Sequence, residues 1–188
     1  MHGSVDDSVW YGKTVLTVPG IGNSGPQHWQ SLWEARHVAF VRVQQRDWDN
    51  PVLTQWLVPL EKAVRSAPLP VFIAAHSLGC LLVAHWLAQT SVEVCGALLV
   101  AVPDPAGENF PAQAAGFEAP PLVRLPCPTT VVASADDPYA DMAFARRCAQ
   151  AWGSRLINVG KAGHINAGSG LGQWEQGKQL LGELVAAS

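Results

Sequence analysis

Val71-Phe72-Ile73-Ala74-Ala75-His76-Ser77-Leu78-Gly79 is the stretch on which the fold turns. Its first five residues are apolar throughout, as a central parallel strand covered on both faces requires; a half-exposed strand would alternate with polar residues. His76 to Gly79 reads as a sharp junction, and CLLVAHWLAQ (80–89) follows as a largely buried helix. Upstream, 15–18 is a β-branched strand stopped by Pro19-Gly20, and 27–35 is a short helix with Trp29 and Trp33 on one face. Residues 38–43 form a further strand, and 51–65 a helix with Pro51 in its first turn and Asp49 or Asn50 as its cap. Downstream, 96–100, 129–133 and 155–159 read as strands, and 141–152 and 173–187 as helices, the first starting at Asp141. This alternation predicts the α/β class: a three-layer sandwich with a mostly or wholly parallel sheet of about six strands. No internal repeat is evident, so 1–188 reads as one domain, and the Ala/Pro-rich stretch 103–128 as a long functional loop, at most a modest lid.

The junction carries chemistry. Ala75-His76-Ser77-Leu78-Gly79 is a near match to G-x-S-x-G, the turn that lifts a serine hydroxyl above a sheet between a strand and a helix. Small residues two positions either side keep neighbouring backbone clear; Gly79 meets that need and Ala75, in place of the first glycine, departs from it. The bland alternative is a plain N-cap serine. If Ser77 is a nucleophile, the Leu78 amide at the helix start is free to stabilise negative charge, which makes it half of an oxyanion hole.

A serine hydroxyl needs an imidazole to take its proton, and the imidazole needs a carboxylate to orient it. In chain order the acid comes second and the histidine last. His164, in the glycine-rich loop after the last strand, is placed to reach back over the sheet; His85, two turns into the helix after Ser77, reads as a packing or surface residue. After the penultimate strand the chain reads Ser134-Ala135-Asp136-Asp137-Pro138. Spacing alone leaves Asp136 and Asp137 open, and Asp137 is favoured because a residue before proline is extended. The second oxyanion donor falls in Pro19-Gly20-Ile21-Gly22-Asn23-Ser24-Gly25, with the Ile21 amide first choice and Gly22 second. His76 neighbours Ser77, should point away from it, and reads as structural or as a support behind the reacting groups. His28, His37 and His76 fall near three different elements and form no metal cluster. Trp29, Trp48 and Trp174 are candidates to border an apolar pocket, with core packing the default for each.

Composition narrows the classes. Of 188 residues, 48% are apolar and 14% charged, which excludes a disordered chain, and a formal charge of −3 with no basic cluster beyond Arg146-Arg147 gives nucleic acid no electrostatic hold. The glycine-rich loop lacks both the phosphate-loop and the dinucleotide fingerprints, so no cofactor is expected. The first residues, MHGSVDDSVWYG, show no leader, and apolar runs are too short to span a bilayer. Cys80, Cys95, Cys127 and Cys148 show no ligand spacing and read as free, mostly buried thiols. A cytoplasmic protein without membrane contact is expected, as a monomer or weak homodimer.

Four segments together resemble one family: PGIGNSGPQHWQSLWE (19–34), HSLG (76–79), ASADDPY (133–139) and GHINAGSGLGQW (163–174). Over nearly the whole chain the sequence is similar to the small α/β-hydrolase group that includes retinoblastoma-binding protein 9 and the bacterial YdeN-like proteins, GHINAGSG suggesting the bacterial branch. The resemblance implies an α/β-hydrolase fold without a cap domain and a Ser-Asp-His triad of Ser77, Asp137 and His164. It also implies a serine hydrolase for small-molecule substrates, here expected to be a carboxylesterase; spacing does not separate esters from amides or thioesters. The retinoblastoma-protein interaction is not inherited, because 125–129 lacks the glutamate of an L-x-C-x-E segment. The rival class is a non-catalytic protein-interaction module on a hydrolase scaffold. A dehalogenase or lyase would need another nucleophile or a cofactor site.

Overall fold

Successive strand residues face opposite sides of a sheet, and here the inner strands are covered on both sides, so they feed two cores. The computed structural model describes residues 7–188; the reading that the chain starts without a leader rests largely on 1–6 and lies outside the described residues. After a 3-10 turn at Asp7–Trp10 come β1 (Thr14–Val18), α1 (Trp29–Arg36), β2 (Phe40–Arg42), α2 (Leu53–Ser66), β3 (Val71–His76) and α3 (Leu78–Leu87). The chain continues through β4 (Gly96–Val100), β5 (Thr129–Ala133), α4 (Met142–Trp152), β6 (Arg155–Asn158), a 3-10 turn at Ala167–Ser169, and α5 (Glu175–Ala186). The six strands form one sheet in the order β2-β1-β3-β4-β5-β6, every pair parallel. No separate cap domain is present among the described residues, and no helix among them is long and apolar enough to cross a membrane.

Leu16, Ile73, Leu99 and Val131 pack under α2, α3 and α4 through Trp56, Leu60, Leu81 and Phe144. Val15, Phe72, Leu98 and Val132 pack on the other face under α1 and α5, with Trp29, Trp33, Leu181 and Leu184. All of these are almost fully buried. The chain leaves β1 toward β2 on one side and reaches β3 on the other, so the sheet order reverses between β1 and β3. A crevice opens at the carboxyl ends of strands at such a reversal, and the loops following β1 and β3 border it.

Several element bounds differ from the sequence expectation. The strand expected over 38–43 shrinks to Phe40–Arg42, because the His37 amide closes α1 onto Trp33 and Phe40 N turns back to His37 O. Neither Asp49 nor Asn50 caps α2: Val52 holds the N-cap position without a side-chain bond, and the Asp47 carboxylate takes the amides of Asp49 and Asn50 in a separate turn. Asp141 does cap α4, accepting from Phe144 N. All four cysteines are free, Cys80 and Cys148 buried.

Candidate active site

Ser77 stands between β3 and α3 at φ 54°, ψ −127°, a backbone region that L-residues rarely enter. A serine ahead of a helix ordinarily accepts from a first-turn amide; Ser77 makes no such bond, and the plain-cap reading falls. Its Oγ lies 2.8 Å from His164 Nε2. The turn depends on absent side chains. A Cβ at Gly79 would lie 2.3 Å from the Val18 carbonyl oxygen and 2.7 Å from that of Pro19, and one at Gly20 would lie 2.9 Å from Ser77 Cβ. The end of β1 therefore presses directly on the start of α3.

His164 sits in the loop between β6 and α5, flanked by Gly163 and Ile165 at positive φ. Its Nδ1 meets both carboxylate oxygens of Asp137, at 2.9 and 3.0 Å. A carboxylate only accepts, so Nδ1 carries the proton and Nε2 is left to accept from the Ser77 hydroxyl. Asp136, the second choice of acid, does something else: its Oδ1 accepts from Gly163 N and from Ser134 Oγ, both at 2.8 Å, tying the acid loop to the histidine loop. Those bonds hold the exposed Asp136 carboxyl below its usual range. The loop is also gripped from below, where Trp29 Nε1 donates to Ile165 O and His76 Nε2 to His164 O, each at 2.9 Å.

His76 thus does not turn away from the site; its ring lies 4.9 Å from that of His164. Nor are His28 and His76 separate, since their rings meet edge to face at 4.6 Å. Burial pushes both imidazoles down, His76 well below the ordinary range, helped by its neighbouring imidazoles His28 and His164. His28 falls to about 4, first through burial and then through Arg42 and His164. Both are neutral at pH 7. Gln30 N donates into His28 Nδ1, which puts the His28 proton on Nε2, an atom with no partner among the described residues.

The two amides expected to face an oxyanion, those of Ile21 and Leu78, have no acceptor among the described residues, and both residues line the cleft over Ser77. The Gly22 amide is spent on Trp48 O at 2.8 Å, which removes that second choice. The loop carrying Ile21 is held by a polar lattice. Arg42 donates to Asn23 Oδ1, Ser24 O and Ser31 Oγ and pairs with Glu34, which also accepts from Thr17 Oγ1. Gln30 bridges Ser24 Oγ to Ala74 O on β3.

The cleft encloses about 550 Å³. None of Trp29, Trp48 or Trp174 lines it; Trp29 and Trp174 pack in the core below and Trp48 against Trp56. Tyr139, which sequence reasoning did not single out, lies 4.4 Å from the His164 ring, centre to centre, and borders the opening. Loop 103–128 forms one wall through Pro103, Asn109, Pro111 and Gln113. Hydrogen bonds tie it to its surroundings: Asp104 N donates to Tyr139 O, Asn109 Nδ2 to Pro138 O, and Ala115 exchanges backbone bonds with Pro51 and Leu53.

A serine at a strained strand-to-helix turn, set at the reversal of a six-stranded parallel sheet, places the protein among the α/β hydrolases. The serine hydrolase family matches residues 15–183, and the chain belongs to it. It is 34% identical to a YdeN-like protein of Pectobacterium atrosepticum, with a TM-score of 0.84 over 96% of this chain and 94% of that one. The ydeN gene product of B. subtilis superposes with a TM-score of 0.79 at 21% identity, covering 93% of this chain and 99% of the other. A thermophilic esterase from Thermogutta terrifontis shares the fold at 15% identity, with a TM-score of 0.67 over 94% and 90% of the two chains. No curated protein matches by sequence.

Proposed function

We propose that this serine hydrolase cleaves carboxylic esters of small molecules by acyl transfer through Ser77. The observation that carries the reading is the unbroken chain from Ser77 Oγ through His164 to the Asp137 carboxylate, with bonds of 2.8, 2.9 and 3.0 Å. His164 takes the hydroxyl proton as Ser77 attacks the carbonyl, Asp137 supports the imidazolium, and the amides of Ile21 and Leu78 receive the oxyanion. Returning that proton to the alcohol releases it, and water activated by the same imidazole frees the acid. The rival reading, an interaction module without chemistry, would be favoured by an exposed apolar patch away from the loops and a wet or blocked Ser77; the bond from Ser77 Oγ to His164 Nε2 in the cleft supports the hydrolytic reading instead.

Hydrolysis of aryl acetates and labelling by a fluorophosphonate test the reading together. The wild type should turn over the ester and take one label at Ser77, and Ser77→Ala should lose both. Equal turnover in the two proteins, or a label elsewhere, would remove Ser77 from the reaction.

A further inference from the structure

Two side chains at the cleft have their polar ends sorted by the protein. Asn23, at φ 64° in the loop after β1, has an Oδ1 that accepts from both Ser24 N (2.8 Å) and Arg42 Nη1 (3.0 Å). Asn166, two residues beyond His164, has an Oδ1 that accepts from Gly168 N at 2.9 Å. Each partner is an N–H, which can only donate, so neither carboxamide can be flipped: oxygen faces the protein and NH2 remains. Neither Nδ2 has a partner among the described residues, and both residues line the cleft over Ser77. They come from different loops, one following the strand before the oxyanion segment and the other continuing from the base. Among the described residues lining this cleft none is Lys or Arg, so a full positive charge for an anionic substrate is not what these groups supplement.

We infer that Asn23 and Asn166 are substrate-binding residues whose NH2 groups donate to acceptor oxygens of the substrate, so that the site selects uncharged esters carrying carbonyl, ether or hydroxyl oxygens beside the scissile bond over plain alkyl esters. The inference rests on the Ser77 reading. An alkyl chain in this cleft would bury two N–H2 groups without partners, which costs more than the apolar contact returns. An acceptor-bearing chain of the same length satisfies them. A neutral hydrogen bond of this kind is worth about two- to tenfold in affinity, so two acting together give about tenfold or more in kcat/KM.

The test uses two aryl esters of equal chain length, a methoxyacetate and a butyrate, with Asn23→Asp and Asn166→Asp. Aspartate keeps the oxygen that the protein uses and replaces only the NH2, so a merely structural asparagine would tolerate it. The wild type should prefer the methoxyacetate by about tenfold in kcat/KM beyond the ratio of the two esters' uncatalysed hydrolysis rates. Each aspartate variant should cut that preference several-fold, chiefly through KM; taking the ratio within one protein cancels any effect of the new charge on His164. Thermal melts of the variants report folding. Where a variant does not fold, Asn166→Ser, which keeps an acceptor near Gly168 N, provides the same ratio. No preference in the wild type, or an unchanged preference in folded variants, would overturn the assignment. Loss of all turnover and all fluorophosphonate labelling in the wild type would instead remove the Ser77 reading beneath it.

Discussion

At the scale of single residues, two adjacent aspartates have been given opposite tasks by one peptide bond of displacement. Asp137 faces the imidazole and Asp136 faces the backbone of the loop that carries it. Asp137→Asn should lower kcat for an aryl acetate by about a thousandfold or more, because an amide there no longer fixes the tautomer. Asp136→Asn keeps an acceptor for Gly163 N and should cost at most about tenfold. Steady-state rates at pH 7.5 decide, and similar losses in both variants would mean that the acid has been misassigned. That Ser77, Asp137 and His164 would meet, with Ile21 and Leu78 beside them, was legible from type, order and neighbours, since the turn, the proline after Asp137 and the glycine-rich loops are local signals. Asn23, Asn166 and Tyr139 were not. Their placement depends on Arg42, Gly168 and His164, which no local pattern couples to them.

At the scale of elements, the short edge strand β2 matters beyond its length because it carries Arg42. This one guanidinium ties α1, through Glu34 and Ser31, to the loop holding Asn23 and Ser24. Arg42→Met strands the half-buried Glu34 carboxylate, and a loss of about 2–3 kcal/mol, or about 5–10 °C in the melting temperature, is expected. The loosened loop should also lower kcat about tenfold, since the Ile21 amide no longer waits in position. Calorimetry and initial rates on the same preparation check both, and Arg42→Lys should recover only part because an ammonium cannot make the forked contacts. An unchanged kcat would separate this lattice from catalysis. The strand-helix alternation was legible because both faces of the inner sheet are covered and its strands β1, β3, β4 and β5 are buried along their whole length. The start of α2 was not: Asp47 takes the amides of Asp49 and Asn50 into a turn of their own, so the helix starts at Val52 without a side-chain cap, a choice that residue type alone does not reveal. The tryptophans kept to their default of core packing, although an indole that pins a loop from beneath looks, in sequence, like one that borders a pocket.

At the scale of the whole molecule, stability should depend on pH through imidazoles that the reaction does not use. His28 titrates near 4 in the folded protein against an ordinary 6.5, so between those values the unfolded chain holds more protons. Its contribution is whole above about pH 6.5 and drains away as pH falls toward 4, roughly 3 kcal/mol across that window, with His76 acting in the same direction. Urea denaturation from pH 7.5 to 4.5 should show the midpoint falling, and His28→Asn, which keeps a cap for Gln30 N without a titrating group, should flatten the curve. A midpoint equally steep in the variant would place the proton uptake elsewhere. The left-handed backbone at Ser77 has a consequence of another kind. Ser77→Ala and Ser77→Gly both silence the hydroxyl, yet only glycine is at ease at φ 54°, and a strained residue of this sort costs about 1–3 kcal/mol. The glycine variant should therefore melt above the alanine variant by about 2 °C or more. The enzyme would then be seen to carry its reactivity as a standing debt against its own endurance, one that a sequence freed from the need to react would be expected to shed.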